Sequence, residues 1–114
     1  MKKKILVVDD APDILEVVQL ILEGEGYDVQ TSPNGGCFKQ MKNDLPHLIL
    51  LDVLLAGEDG REICRRLKSS EQTKHIPVIL FSAHAGGEGT HGADAFLAKP
   101  FHIKGLVETV QRYV

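Results

Sequence analysis

The chain alternates between two hydrophobic patterns. The first is the uninterrupted apolar run: Lys4-Ile5-Leu6-Val7-Val8, Leu48-Ile49-Leu50-Leu51, Pro77-Val78-Ile79-Leu80-Phe81 and Ala95-Phe96-Leu97-Ala98. Each reads as a strand; Lys4 to Val8 reads as a buried one, and Leu48 to Leu51, closed off by turn residues, as a strand covered on both faces, as in a parallel sheet. A weaker run, Tyr27 to Thr31, predicts a short strand nearer an edge. The second pattern repeats at three and four residues. Ile14, Val17, Val18, Ile21 and Leu22 form a helical stripe facing a core, opened by Pro12-Asp13 and stopped by Gly24 and Gly26. Cys37, Phe38 and Met41 line a short second helix that ends by Leu45-Pro46. A third helix spans Gly60 to Ser69, with Ile63, Cys64 and Leu67 inward and Arg61, Arg65, Arg66 and Lys68 outward as a solvated face. Ile103, Leu106, Val107, Val110 and Val114 mark a final helix. Residues 53–59 and 70–76 read as loops.

The connection from Ala83 to Asp94 fits neither pattern. It holds Gly86, Gly87, Gly89 and Gly92 and no large apolar residue. Glycine costs a helix about 1 kcal/mol per residue relative to alanine, so the expectation is an irregular, mobile segment without α-helix from Gly86 to Gly92. The order of elements predicts an α/β fold: a doubly wound, five-stranded parallel sheet in the flavodoxin-like order 2-1-3-4-5. The helix between the fourth and fifth strands is expected to be lost or replaced by the Gly-rich loop.

Composition narrows this without redirecting it. At 114 residues the chain reads as one domain, 1–114, large enough to bury roughly two-thirds of its unfolded surface. Hydrophobic content of 43% and charged content of 25% are ordinary. A net charge of -3 argues against nucleic-acid or anionic-membrane binding. No apolar run is long enough to span a bilayer. Lys2 to Lys4 resemble the start of a signal peptide, but Asp9 and Asp10 follow after too few apolar residues. Cys37 and Cys64, distant in sequence, suggest reduced, buried thiols and a cytoplasmic setting.

The candidate chemistry lies where strands end. The first strand runs into Asp9-Asp10, the third into Asp52, the fourth into Ser82 and the fifth into Lys99. In a doubly wound sheet these carboxyl ends share one rim, and ligands bind at the crevice where the strand order reverses. Three carboxylates in one crevice repel one another and call for cations. Lys99 supplies one charge, and a divalent ion with oxygen ligands, Mg²⁺ above all, would supply the rest. An aspartate beside a metal and an ammonium suits nucleophilic attack on phosphorus, with a hydroxyl donating to a phosphoryl oxygen.

These residues resemble the response-regulator receiver domain over nearly the whole chain, from about Lys4 to Val114. The resemblance rests on Asp9-Asp10, Asp52, Asp59-Gly60, Ser82-Ala83 and Lys99-Pro100-Phe101. It implies that Asp52 accepts a phosphoryl group from a phosphohistidine, the donor being a sensor histidine kinase or phosphotransfer protein. It implies that Asp10, Asp52 and the backbone carbonyl of Leu54 bind Mg²⁺, with Asp9 acting through a metal-bound water. It further implies that Ser82 and Lys99 contact the phosphoryl oxygens, that Ser82 and Phe96 form the switch, and that the Lys99-Pro100 bond is cis. A downstream target protein follows from the same resemblance, while a possible homodimer is expected from the flank that the Gly-rich connection leaves bare, which together with the last helix is the expected partner or dimer surface. Two departures stand out. Ala56 takes the place of a usual proline, and the connection after Ser82 is several residues shorter than the family's helix requires.

Other readings explain less. A haloacid-type phosphatase needs a second aspartate two residues after the nucleophile, where this chain has Leu54. A flavin mononucleotide site needs a phosphate cradle after the first strand, where Asp9-Asp10 would repel phosphate. A phosphorylation-independent interaction module that keeps the fold is the remaining alternative. The five histidines show no metal spacing; His84 and His91 read as solvated loop residues. With no segment after Val114, the expectation is a stand-alone receiver or a piece of a longer chain.

Overall fold

The structure is a computed structural model, and it describes residues 2–40, 44–55, 57–82 and 92–114. Its elements are β1 (Lys4–Val8), α1 (Pro12–Gly24), β2 (Asp28–Ser32), a 3₁₀ turn (Gly35–Gln40), β3 (Leu48–Asp52), β4 (Leu54–Leu55), β5 (Glu58–Asp59), α2 (Gly60–Ser69), β6 (Val78–Ser82), β7 (Ala95–Ala98) and α3 (Ile103–Tyr113). Five strands form one sheet in the order β2-β1-β3-β6-β7, all pairings parallel. This is the predicted 2-1-3-4-5 order. Residues 83–91, and with them the expected loss of helix and the expected mobility, lie outside the described residues; residues 92–94 are not helical. Ala56 and Met41 also lie outside them.

The uninterrupted apolar runs are explained by the two faces of the sheet. Leu6, Val8, Ile49, Leu51, Val78 and Leu80 face one side and pack on Ile63, Cys64 and Leu67 of α2. Ile5, Val7, Leu48, Leu50, Ile79 and Phe81 face the other and pack on Val18 and Leu22 of α1 and on Leu106 and Val110 of α3. Alternate residues of β1, β3 and β6 thus belong to different cores, and every residue of β3 and β6 is buried.

Several expectations need correction. Val17 and Ile103, assigned to core-facing stripes, are exposed. Each sits at the margin of a stripe wider than the surface it packs on. Over residues 35–40 the short second helix is 3₁₀, not α. Gly35 and Gly36 enter it, and its first backbone N–H is taken by Glu58 rather than by a helical turn. The loop 53–59 contains the antiparallel ladder of β4 and β5, closed through Gly57 at φ 76°. Lys68 is not part of a solvated face. Its Nζ donates to the Ile76 carbonyl at 2.9 Å and pairs with Asp94 at 2.7 Å. Among the described residues, no helix is long and apolar enough to cross a membrane.

Candidate functional site

The carboxyl ends of β1, β3 and β6 and the residue after β7 bring Asp9, Asp10, Asp52, Ser82 and Lys99 to one rim. Asp9 is fully buried. Its Oδ1 accepts the Ala11 N–H at 2.8 Å and its Oδ2 accepts from Lys99 Nζ at 2.8 Å. Lys99 Nζ also lies 3.4 Å from Asp52 Oδ1. Asp10 is exposed, on the solvent side of the cluster. Ser82 is buried at the end of β6, and its carbonyl accepts the Lys99 N–H at 2.7 Å. Backbone pairing between β6 and β7 therefore delivers the lysine, and the Lys99-Pro100 bond is cis as expected.

Two supporting residues were not singled out for these roles from the sequence. Phe81 lies under Lys99, with Nζ 4.7 Å from the ring centroid, a cation–π contact that holds the ammonium over the crevice. Gly60 permits a close backbone approach: a Cβ there would stand 1.9 Å from the Asp52 carbonyl oxygen. Its N–H donates to the Val53 carbonyl at 2.7 Å, and Asp59 caps α2 through the Arg61 N–H. The Asp-Gly pair that opens the helix was the sequence signal for this turn. Phe81 gave none beyond its place at a strand end.

Electrostatics at the rim are unbalanced. Three carboxylates face the ammonium of Lys99. Burial pushes the Asp52 carboxyl above the usual carboxylate range and the neighbouring Asp9 raises it further, while Lys99 and a hydrogen bond from the Leu54 backbone act in the opposite direction. One oxygen from each of Asp9, Asp10 and Asp52 lies within 4.8 Å of the others. Octahedral Mg²⁺ binds oxygens at about 2.0–2.1 Å, so opposite ligands stand roughly 4 Å apart. The cluster has the donor type and nearly the span for such an ion, with two acids buried and one open to solvent. Phe96 lies outside this cluster, half-exposed on β7 opposite Leu80.

Comparison with known proteins agrees with this arrangement. The family model of the response regulator receiver domain matches residues 5–111. The response regulator PleD of Caulobacter vibrioides is 41% identical over 88% of this chain, which spans 23% of that protein. RpaA of Synechocystis, a DNA-binding master transcriptional regulator, is 36% identical over 95% of the chain and 47% of its own length. The chain thus spans about half or less of these relatives. Among solved structures, the response regulator TrrA of Thermotoga maritima, in complex with Mg²⁺-BeF, superposes with a TM-score of 0.87 at 30% identity, covering 98% of this chain and 99% of the other. The chain belongs to the response regulator receiver domain family, whose members act in two-component signalling with histidine kinases and downstream effectors.

Proposed function

We propose that the chain takes a phosphoryl group onto the Asp52 carboxylate from a phosphohistidine of a sensor histidine kinase or phosphotransfer protein and relays the change in shape to a downstream protein. The observation that carries this reading is the placement of Asp52, a buried carboxylate at the end of the central strand, 3.4 Å from Lys99 Nζ. An Asp52 oxygen forms the new O–P bond as the P–N bond breaks, its electron pair leaving with the imidazole nitrogen. The Lys99 ammonium and the Ser82 hydroxyl then donate to phosphoryl oxygens, offsetting the charge brought into a cleft already rich in carboxylates. Asp10, Asp52 and the Leu54 carbonyl would hold Mg²⁺, with Asp9 acting through a bound water. When bound, the ion supplies the positive charge that offsets the phosphoryl oxygens.

Lys99 ties the chemistry to the switch. It is bonded to buried Asp9 and follows β7, the strand that carries Phe96. Drawing the ammonium toward a phosphorylated Asp52 would pull on β7 and change the setting of the half-exposed Phe96, offering a partner, or a second copy of the chain, a different surface. The test is intact-mass measurement after incubation with Mg²⁺ and a small phosphodonor. The parent gains one phosphoryl group and Asp52→Asn gains none. Uptake at the parent rate by the variant would move the acceptor elsewhere. A parent that takes up nothing would favour the phosphorylation-independent interaction module.

A further inference from the structure

A groove of about 250 Å³ lies between the 3₁₀ turn and α2, and none of its lining residues belongs to the carboxylate cluster. Phe38, Ile63 and Leu67 give it an apolar lining, and Lys39, Arg66 and Glu58 border it. The charges are not equivalent. Elsewhere on α2, Arg61 pairs with Asp59, Arg65 with Glu62 and Lys68 with Asp94. Arg66, on the same helix, has no ion-pair partner among the described residues, and neither does Lys39 across the groove. Glu58 accepts the Gly35 N–H at 2.8 Å. Two cations without ion-pair partners among the described residues thus border a groove with an apolar floor, against one carboxylate engaged by the backbone.

We propose that this groove docks a peptide segment of a partner protein that sets one or more acidic residues beside a large apolar side chain. The charge selects for carboxylates, and the lining selects for an apolar anchor. A small inorganic anion would satisfy Lys39 and Arg66 but would leave the half-buried Phe38, which stands at the mouth of an apolar floor formed by the buried Ile63 and Leu67, without a partner. Anchor side chains that fill a pocket carry most of the affinity of such contacts, while rim charges set specificity and approach. The proposal goes beyond phosphoryl transfer and does not need Asp52 to be modified, so it is tested on the unphosphorylated chain.

The probe is a displayed library of random decapeptides, followed by ¹H–¹⁵N mapping with one synthetic peptide from the enriched pool. Enrichment of sequences pairing acidic with large apolar residues is expected. So are amide shifts centred on Phe38, Ile63 and Leu67, and an affinity loss of about tenfold or more in Lys39→Glu/Arg66→Glu, which is about 1.4 kcal/mol. Urea unfolding of the double variant checks that the fold survives. Should it not survive, Lys39→Gln/Arg66→Gln replaces it, with a smaller loss expected. The proposal falls if no peptide is enriched, if the enriched peptides lack acidic residues, or if the shifts map to another face. It falls equally if binding is indifferent to both double variants, or if inorganic phosphate alone reproduces the shifts.

Discussion

Strand β3 ends on a charged residue of the cluster and β7 just before one, but they hold those residues differently. β3 lies between β1 and β6, and all five of its residues are buried. β7 is the sheet edge, bonded to β6 alone, with Phe96 and Ala98 exposed and Ala95 and Leu97 half-buried. Shifting Asp52 would break two ladders and two cores, whereas shifting Lys99 disturbs one ladder and a partly solvated strand. The carboxylate is therefore the fixed partner and the ammonium the movable one. A switch built this way keeps the reacting atom in place while the edge responds.

The sharpest test of that contrast is packing. Leu50→Ala, in the middle of β3, is expected to cost about 2–5 kcal/mol in urea unfolding. Leu97→Ala on β7 should cost less, roughly 1–2 kcal/mol, because the side chain is only partly buried against the core. Equal losses would erase the distinction between the strands.

A smaller effect is expected from Gly60→Ala. The added Cβ would collide with the Asp52 carbonyl, so the end of β3 or the start of α2 must move, at about 1–3 kcal/mol. Amide shifts at Asp52 and weaker Mg²⁺ binding should accompany the loss. A variant with parental stability and shifts would show that the end of β3 yields more readily than its burial implies.

The smallest effect is the pH dependence of metal-free stability. Asp52 has a raised folded-state pKa, its burial being the main cause and Asp9 the second. Below the unfolded-state value of about 4 both states hold the proton and its ionisation costs nothing. As pH climbs from there through the raised folded value, the unfolded chain releases the proton first and stability falls. Asp52→Asn removes this loss, so without metal it should unfold a few degrees higher than the parent at neutral pH and show little of this gain near pH 3. A parallel offset at all pH values would mean that the gain has another origin.

Much of this was legible in the sequence, for a physical reason. Strands covered on both faces must be continuously apolar, so the runs ending at Val8, Leu51 and Phe81 declared both themselves and the polar residues after them. Which carboxylate takes the ammonium was not legible. Asp9 and Lys99 are separated by 90 residues, and their pairing depends on how neighbouring strands set the rim. Lys68 was misread because a lysine on the polar side of a helix looks solvated until its long stem is seen to lie along α2 toward Asp94. Val17 and Ile103 were misread in the opposite sense, since an apolar stripe does not record how wide its partner surface is.

The Lys68–Asp94 contact has a consequence for how this fold tolerates change. Asp94 Oδ2 accepts both Lys68 Nζ and the Val78 N–H, and the Asp94 N–H returns to the Val78 carbonyl. The chain is thereby re-indexed at Asp94, immediately before β7 begins and five residues before Lys99. Whatever length of polypeptide lies between Ser82 and Asp94, the lysine is counted from this anchor on β6 and not from the connection before it. Insertions and deletions upstream of Asp94 are in effect filtered out before they reach the carboxylates. A short connection is therefore compatible with Lys99 standing beside Asp9 and Asp52.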